Sequence, residues 1–462
     1  MQLPARLVNS PVTLQWVVNH PREAGMSTAT PEPQNQDQER ELERLLDSVL
    51  EKIDSTRYPN IEIPFLDALR SEDRNVWWGA VTQLQEFTAG IKDAVVRDSR
   101  FLGEIVRMMR SGLGGGSGFY PNFVDQLLVR RAAQLGSADK AIQWLQKVLT
   151  TSDATGQLIL TLWGVPVESE IQLTDDVKIV PVERLPESEQ KQAVIDHAFG
   201  VGGRMPTSTL DFEAPKSALV IERRVAPLTY DSSATPQHDD YISTHELLRE
   251  IALVLTLVGP RVSLPGMLWF TFDDSDFNVW PSSMNSLMEI VPAQFGNNAN
   301  LDPEEAPEMV RAYLALPADT RQHVRVAIER ISQAQRRRSV GDRAVELATA
   351  LEALVGDGAN NEMTHKVKVR TARYVGGSRD ERIINAAIIN KTYAIRSKLV
   401  HTGRIDENAT AAIAGSHFTV SQIVDRALSL CVQLTKKIIM RGEIPDWSLF
   451  DITEQPGYSA HG

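Results

Sequence analysis

Residues 337–354 read RRSVGDRAVELATALEAL, a short polar lead followed by apolar side chains at Ala344, Leu347, Ala348, Leu351 and Leu354. Spacings of three and four put these five on one helical face, so 341–354 is an amphipathic helix that must bury its stripe against neighbours. The same period predicts helices over 307–316, 318–336, 364–374, 380–400 and 420–440. The last carries Val424, Ala427, Leu428, Cys431, Leu434 and Ile438 on one face. A bundle of about four or five helices follows for residues 306–445, with 446–462 as a C-terminal tail.

Upstream the pattern changes. Residues 39–150 read as helical: Leu42, Leu45, Leu46, Val49, Leu50 and Ile53 form one stripe, a helical region broken near Gly90 covers 73–110, and helices follow at 122–135 and 138–149. Residues 151–305 are mixed. Short β-branched or aliphatic runs at 158–163, 177–182 and 218–221 predict strands, and 244–257 an internal helix. Segments 267–271 and 277–280 flank the acidic run Asp273–Asp276 and predict a hairpin with an acidic turn. Residues 1–38 are expected to be an extension and a linker, because Ser27–Gln38 holds no large apolar side chain; Met26 is an alternative start. The fold class expected is α+β overall: a helical N-terminal segment, a mixed α/β middle region and a C-terminal all-α bundle.

A chain of 462 residues with 42% hydrophobic and 23% charged residues can bury large cores. Gly (28) and Pro (24) near background exclude a collagen-like or wholly disordered chain. The single cysteine, Cys431, excludes an intrachain disulfide and a multi-cysteine zinc site. It lies on an apolar stripe and reads as core filler. A reducing cytoplasm fits this usage. The longest apolar run, Ile251–Val258, is far shorter than the roughly 20 residues that span a bilayer, and no secretory h-region opens the chain; no membrane partner is expected.

The net charge of −12 is unevenly spread: residues 321–443 carry +9 and the remainder −21. A basic segment in an acidic chain directs the search for chemistry to the bundle. Two glycine-rich runs, Gly112–Gly118 and Gly200–Gly203, lack the preceding strand and following Gly-Lys-Ser/Thr of a phosphate loop and read as flexible loops. The run His238–Glu246 holds two histidines and several carboxylates. Its histidines are seven apart instead of four, so it reads as a polar loop in which Ser243 or Thr244 caps the next helix. No metal and no cofactor is expected.

The second candidate is Tyr393-Ala394-Ile395-Arg396-Ser397-Lys398-Leu399-Val400-His401-Thr402-Gly403. Gly403 is a C-cap residue, so His401 falls in the last helical turn. Five residues rotate a helix by about 140°, so Arg396 and His401 meet only if the last turn loosens or two chains face each other. Histidine can move a proton to or from a ribose oxygen, and an arginine fork can hold a phosphate. The chemistry open to the pair is metal-free RNA cleavage by the 2′-OH. The bland alternative pairs Arg396 with Glu352 in a buried salt bridge and leaves His401 as a helix cap.

Residues 337–354 together with Tyr393–His401 resemble the Apea-like branch of the HEPN superfamily, over about 318–441. The resemblance implies an all-α bundle that dimerises to join two R-x-x-x-x-H motifs in one cleft. It implies a metal-independent endoribonuclease, often in bacterial anti-phage defence or toxin systems. It makes Arg396 and His401 catalytic, Ser397 a supporting polar residue, and Glu352 a group orienting Arg396 or the phosphate. Lys398 and Arg336, Arg337 and Arg338 are our candidates for RNA-backbone contacts. Residues 39–305 would then be a sensor or regulatory module for a phage or host trigger. The alternative is a non-catalytic HEPN-like dimerisation module that binds RNA or protein.

Overall fold

A computed structural model describes residues 33–55, 63–71, 73–112, 116–195, 214–231, 239–259, 261–279, 285–286, 298–356 and 362–453. Residues 1–32 of the expected extension and linker and the glycine run at 200–203 lie outside them, whereas residues 33–38 of that linker are helical and open the first helix. The fold is α+β with helix predominant. Helices α1 (Pro33–Ser55), α2 (Phe65–Arg70), α3 (Arg74–Thr82) and α4 (Gln85–Arg97) lead into a hairpin of β1 (Arg107–Arg110) and β2 (Gly116–Phe119). Helices α5 (Pro121–Leu135) and α6 (Ala138–Thr150) follow. The mixed region comprises β3 (Ala154–Trp163), β4 (Ile171–Gln172), β5 (Val177–Pro181), α7 (Glu189–Ile195), β6 (Ser217–Val225), β7 (Thr229–Asp231), α8 (Asp239–Val254), β8 (Leu264–Phe272) and β9 (Asn285–Ser286).

The larger sheet is antiparallel, in the order β4-β5-β6-β3-β8-β9. Strand β3 is its axis, paired with β6 from Ala154↔Val225 to Leu162↔Ser217 and with β8 on the other side. Side chains alternate faces along a strand. Leu158, Leu160 and Leu162 therefore join the main core with Leu219, Ile221 and Phe270. Ile159, Val220 and Trp269 face the other way, under Val182 and Leu185 of the segment before α7 and Val194 of α7 itself. Both faces are covered, which explains why β3 reads as a continuous apolar run.

The structure departs from the sequence reading at several points. The segment 39–150 is not wholly helical, because β1 and β2 join β7 in a second, three-stranded sheet. The helix break expected near Gly90 falls at Gln83–Leu84, and Gly90 lies inside α4. Within the glycine tract, Gly116 to Gly118 belong to β2, where a Cβ on Gly118 would strike the Tyr120 ring. The acidic run does not turn a hairpin: Ser275–Phe277 is a 3-10 turn and β8 pairs with β9. Its carboxylates instead tie down α5 and α6, Lys147 bonding Asp274 at 2.6 Å and Asp276 at 2.7 Å while Arg131 also pairs with Asp276. Helix α8 begins at Asp239, so Ser243 and Thr244 lie within the helix and not at its N-cap. Thr244 is buried and accepts a hydrogen bond from Arg223. His238 lies outside the described residues.

The rest is helical apart from one hairpin: α9 (Glu305–Leu314), α10 (Ala318–Arg336), α11 (Val340–Val355), α12 (Met363–Val375), α13 (Arg379–Thr402), β10 (Thr410–Ile413), β11 (Ser416–Thr419), α14 (Val420–Arg441) and α15 (Trp447–Ile452). The stripe of α11 is wholly buried and meets Val424, Ala427, Cys431 and Leu434 of α14 in the core. Burial pushes the Cys431 thiol well above its ordinary range, as a core position requires. The expected tail begins as docked structure. Asp451 grips the buried Arg370 guanidinium at 2.8 Å, Arg370 also donates to Val355 O at 2.6 Å, and Trp447 Nε1 donates to Leu354 O at 3.0 Å. Residues 454–462 lie outside the described part.

Asp451→Ala strands a buried guanidinium and should destabilise the bundle by about 1–3 kcal/mol. Glu443→Ala removes only the exposed pair with Arg441 and should stay within ~0.5 kcal/mol. Urea midpoints of the two variants check this contrast, and equal midpoints would contradict it.

Candidate functional site

Helix α13 starts at a capping box, Ser378 with Glu381, and ends at Gly403 in the left-handed conformation, φ 66°. The Gly403 N–H donates to Leu399 O at 2.7 Å. The last turn is thus closed and regular, and His401 stands exposed within it. Arg396 and His401 remain about 140° apart around the helix. The loosened turn that would join them inside one chain is not formed.

Tyr393 sets the height of this motif. It is 6% exposed, and its hydroxyl lies 3.1 Å from Glu352 Oε1 and 3.3 Å from Ala348 O on α11. Burial, then the Glu352 carboxylate, hold its phenol well above the ordinary value, while the Arg396 charge acts in the opposite sense. Arg396 is half-buried one turn beyond. Among the described residues it makes no ion pair, so the Glu352–Arg396 salt bridge of the bland alternative is not formed. Glu352 is engaged by Tyr393 instead. Ser397 and Lys398 are exposed on the next turn.

The arginine cluster comes to the same end of the bundle. A Cβ placed on Gly341, at the start of α11, would lie 3.0 Å from Leu399 Cδ2 and 2.9 Å from Ile405 Cδ1, so the turn between α10 and α11 abuts the end of α13. Its three arginines differ. Arg337 is tied to the buried Glu346 at 2.9 Å, and Arg330 takes the other oxygen of that carboxylate at 3.1 Å. Arg336 is half-buried, with its Nε inaccessible to water. Arg338 is exposed and has no ion pair among the described residues. The structure thus leaves Arg338, Lys398 and His401 exposed without an ion pair among the described residues, and Arg337 exposed but paired with Glu346.

Sequence reasoning passed over Arg404. It is exposed directly after the Gly403 cap and makes no side-chain ion pair among the described residues. Its signal was its position, three residues beyond the candidate histidine. The β10–β11 hairpin was also missed, and it brings exposed His417 between α13 and α14, with the Arg426 guanidinium 4.4 Å over Phe418. No group of three or more metal-binding side chains occurs among the described residues. No helix among them is long and apolar enough to cross a membrane. No family model matches the chain, and neither a curated protein nor a solved structure does.

Tyr393→Phe should cost about 1 kcal/mol at neutral pH by removing the donor to Glu352. A phenol held above its ordinary value of 10.0 contributes stability that is complete below that pH and is lost as pH rises beyond it. Tyr313, Tyr374 and Cys431 are raised in the same sense, so the alkaline fall in urea midpoint should become shallower in Tyr393→Phe and persist. An unchanged alkaline slope would contradict the assignment.

Proposed function

We propose that the chain is a metal-independent endoribonuclease of HEPN type, acting as a homodimer through its C-terminal bundle. The observation that carries the reading is the state of the Arg-Ser-Lys-Leu-Val-His motif. Arg396 is half-buried beside Tyr393 without a carboxylate partner among the described residues, and His401 is exposed in a rigid last turn. A guanidinium held in this way is available to a phosphate. Because the helix stays regular, one chain does not supply both groups to one atom, and a second copy facing the first does. Large apolar side chains are exposed on the same helix, Ile383 at 53% and Val400 at 60%, where a second copy would cover them.

In this reading the ribose 2′-oxygen attacks the adjacent phosphorus, its bond to phosphorus forming as the bond to the 5′-oxygen breaks. His401 takes the 2′-OH proton or returns one to the leaving 5′-oxygen, and Arg396 holds the charge on the phosphoryl oxygens. Arg338 and Lys398, with Arg404 beside them, hold the flanking backbone. The products are a 2′,3′-cyclic phosphate and a 5′-hydroxyl. A phage or host trigger recognised by residues 39–305, a cytoplasmic setting and a role in defence or toxin systems belong to the same proposal, by analogy of fold.

The test incubates the purified full chain with RNA and matched DNA in EDTA. RNA alone should be cut, and Arg396→Ala or His401→Ala should each slow cutting by about a hundredfold or more. Mixing the two variants should restore part of the rate, since the shared cleft of a mixed dimer keeps one Arg396 and one His401, from opposite chains. Intact RNA, with no toxicity of the native chain on overexpression, would favour the non-catalytic dimerisation and binding module instead.

A further inference from the structure

A cavity of about 480 Å³ opens on the opposite, upstream part of the chain, between α3, α4 and α5. This is within the range of small-molecule sites, about 300–1,000 Å³. Trp77, Trp78, Phe123, Lys92, Asp125 and Arg130 line it. None of these belongs to the site described above.

Arg130 is the informative residue. Its guanidinium carbon lies 3.7 Å from the centroid of the Trp77 ring, and its Nε is inaccessible to water with no hydrogen-bond partner. No ion pair or hydrogen bond satisfies the guanidinium among the described residues. The opposite charge that acts on it is Glu189, whose Oε1 already accepts the Trp77 indole N–H at 3.0 Å. Burial therefore pushes Arg130 down to about 10. A guanidinium whose Nε is cut off from water and unpaired carries a cost that an acceptor reaching its remaining N–H groups offsets. An apolar occupant would leave that cost standing, and a cationic one would meet Arg130 and Lys92 with only Asp125 to offset them. An anionic group satisfies it.

The cavity also offers rings and an acceptor. Trp78 is 47% exposed and Phe123 43%, and Trp78 stands edge-on to Trp77 at 83°. Such faces stack planar ligands. Asp125 is 3% exposed. It accepts from the Gln126 N–H at 2.7 Å and from Thr88, which leaves acceptor capacity on its carboxyl for the N–H edge of a ring.

We propose that this cavity binds a small planar ligand bearing one anionic group, of the nucleoside monophosphate class. The base lies against Trp78 and Phe123 with its N–H edge at Asp125, and the phosphate meets Arg130 and Lys92. The site does not rest on the ribonuclease reading, and its test reads binding alone.

The full chain is titrated with GMP, AMP, CMP and UMP, with guanosine and with inorganic phosphate, by calorimetry and tryptophan fluorescence. At least one monophosphate should saturate, with its nucleoside and inorganic phosphate each roughly tenfold weaker or more. Arg130→Met should reduce the monophosphate to the affinity of its nucleoside. Trp78→Ala, at a half-exposed position that should leave the fold intact, should weaken both. No saturation by any monophosphate at millimolar concentration overturns the proposal. So does saturation that survives both variants unchanged while their circular dichroism stays native.

Discussion

The hydroxyl of Tyr393, shared between Glu352 and the Ala348 carbonyl, is the cross-link on which the C-terminal architecture turns. It is formed in a buried position, where an unmade polar contact costs more than a made one contributes. It therefore fixes the register of α13 on α11 more firmly than apolar packing alone, which tolerates sliding. From that register follow the height of Arg396 one turn on, the exposure of His401 at the helix end, and the approach of the α10–α11 turn to Leu399 and Ile405. Ser339 caps α11 and Gly403 ends α13 at this same end of the bundle, so two helix termini and the exposed Arg338, Lys398, His401 and Arg404 converge there.

The bundle is not hung from the upstream part by a bare linker. One apolar cluster runs from Leu42 to Trp447, and Leu255 and Leu257 bring the end of the α8 segment into it. Polar contacts decorate this junction. Glu250 on α8 lies 3.9 Å from both Arg321 and Arg325 of α10, and Lys436 of α14 pairs with Glu305. Ion pairs as long and as exposed as those of Glu250 contribute little to stability. They specify which face of α10 meets α8, while the apolar side chains supply the adhesion.

Much of the bundle was legible because its helices carry their signals locally. The stripes of α11 and α14 and the Gly403 stop are written in consecutive residues, and the helix boundaries they predict lie close to those found. What escaped depends on partners distant in sequence. Strand β1 reads Arg-Met-Met-Arg, with no β-branched residue, and is a strand because β2 and β7 pair with it. The β10–β11 hairpin turns at Ala414-Gly415, both with positive φ (49° and 81°), where an Asn-Gly or Asp-Gly would have announced it. Asp273–Asp276 looked like a turn because it is acidic, yet its charges answer Lys147 and Arg131. The site followed the same rule. Exposure of His401 and Lys398 was readable from the helix end, whereas the diversion of Arg337 to Glu346, a carboxylate nine residues on, became visible only with the fold.

That diversion bears on how the basic end of the bundle is divided. Glu346 is buried and takes two arginines, Arg330 and Arg337, which satisfies a carboxylate that would otherwise be expensive to bury. Glu352, two turns along the same helix, takes a neutral tyrosine instead. The effect is to spend both glutamates of α11 on groups other than Arg396. Had Glu352 paired with Arg396, the guanidinium would be neutralised and its fork filled, and a phosphate would have to displace a carboxylate already in place. With Tyr393 occupying Glu352, Arg396 keeps its donors free of a carboxylate among the described residues. This asymmetry between Glu346 and Glu352 is what separates Arg396, without an ion pair among the described residues, from the paired Arg330 and Arg337.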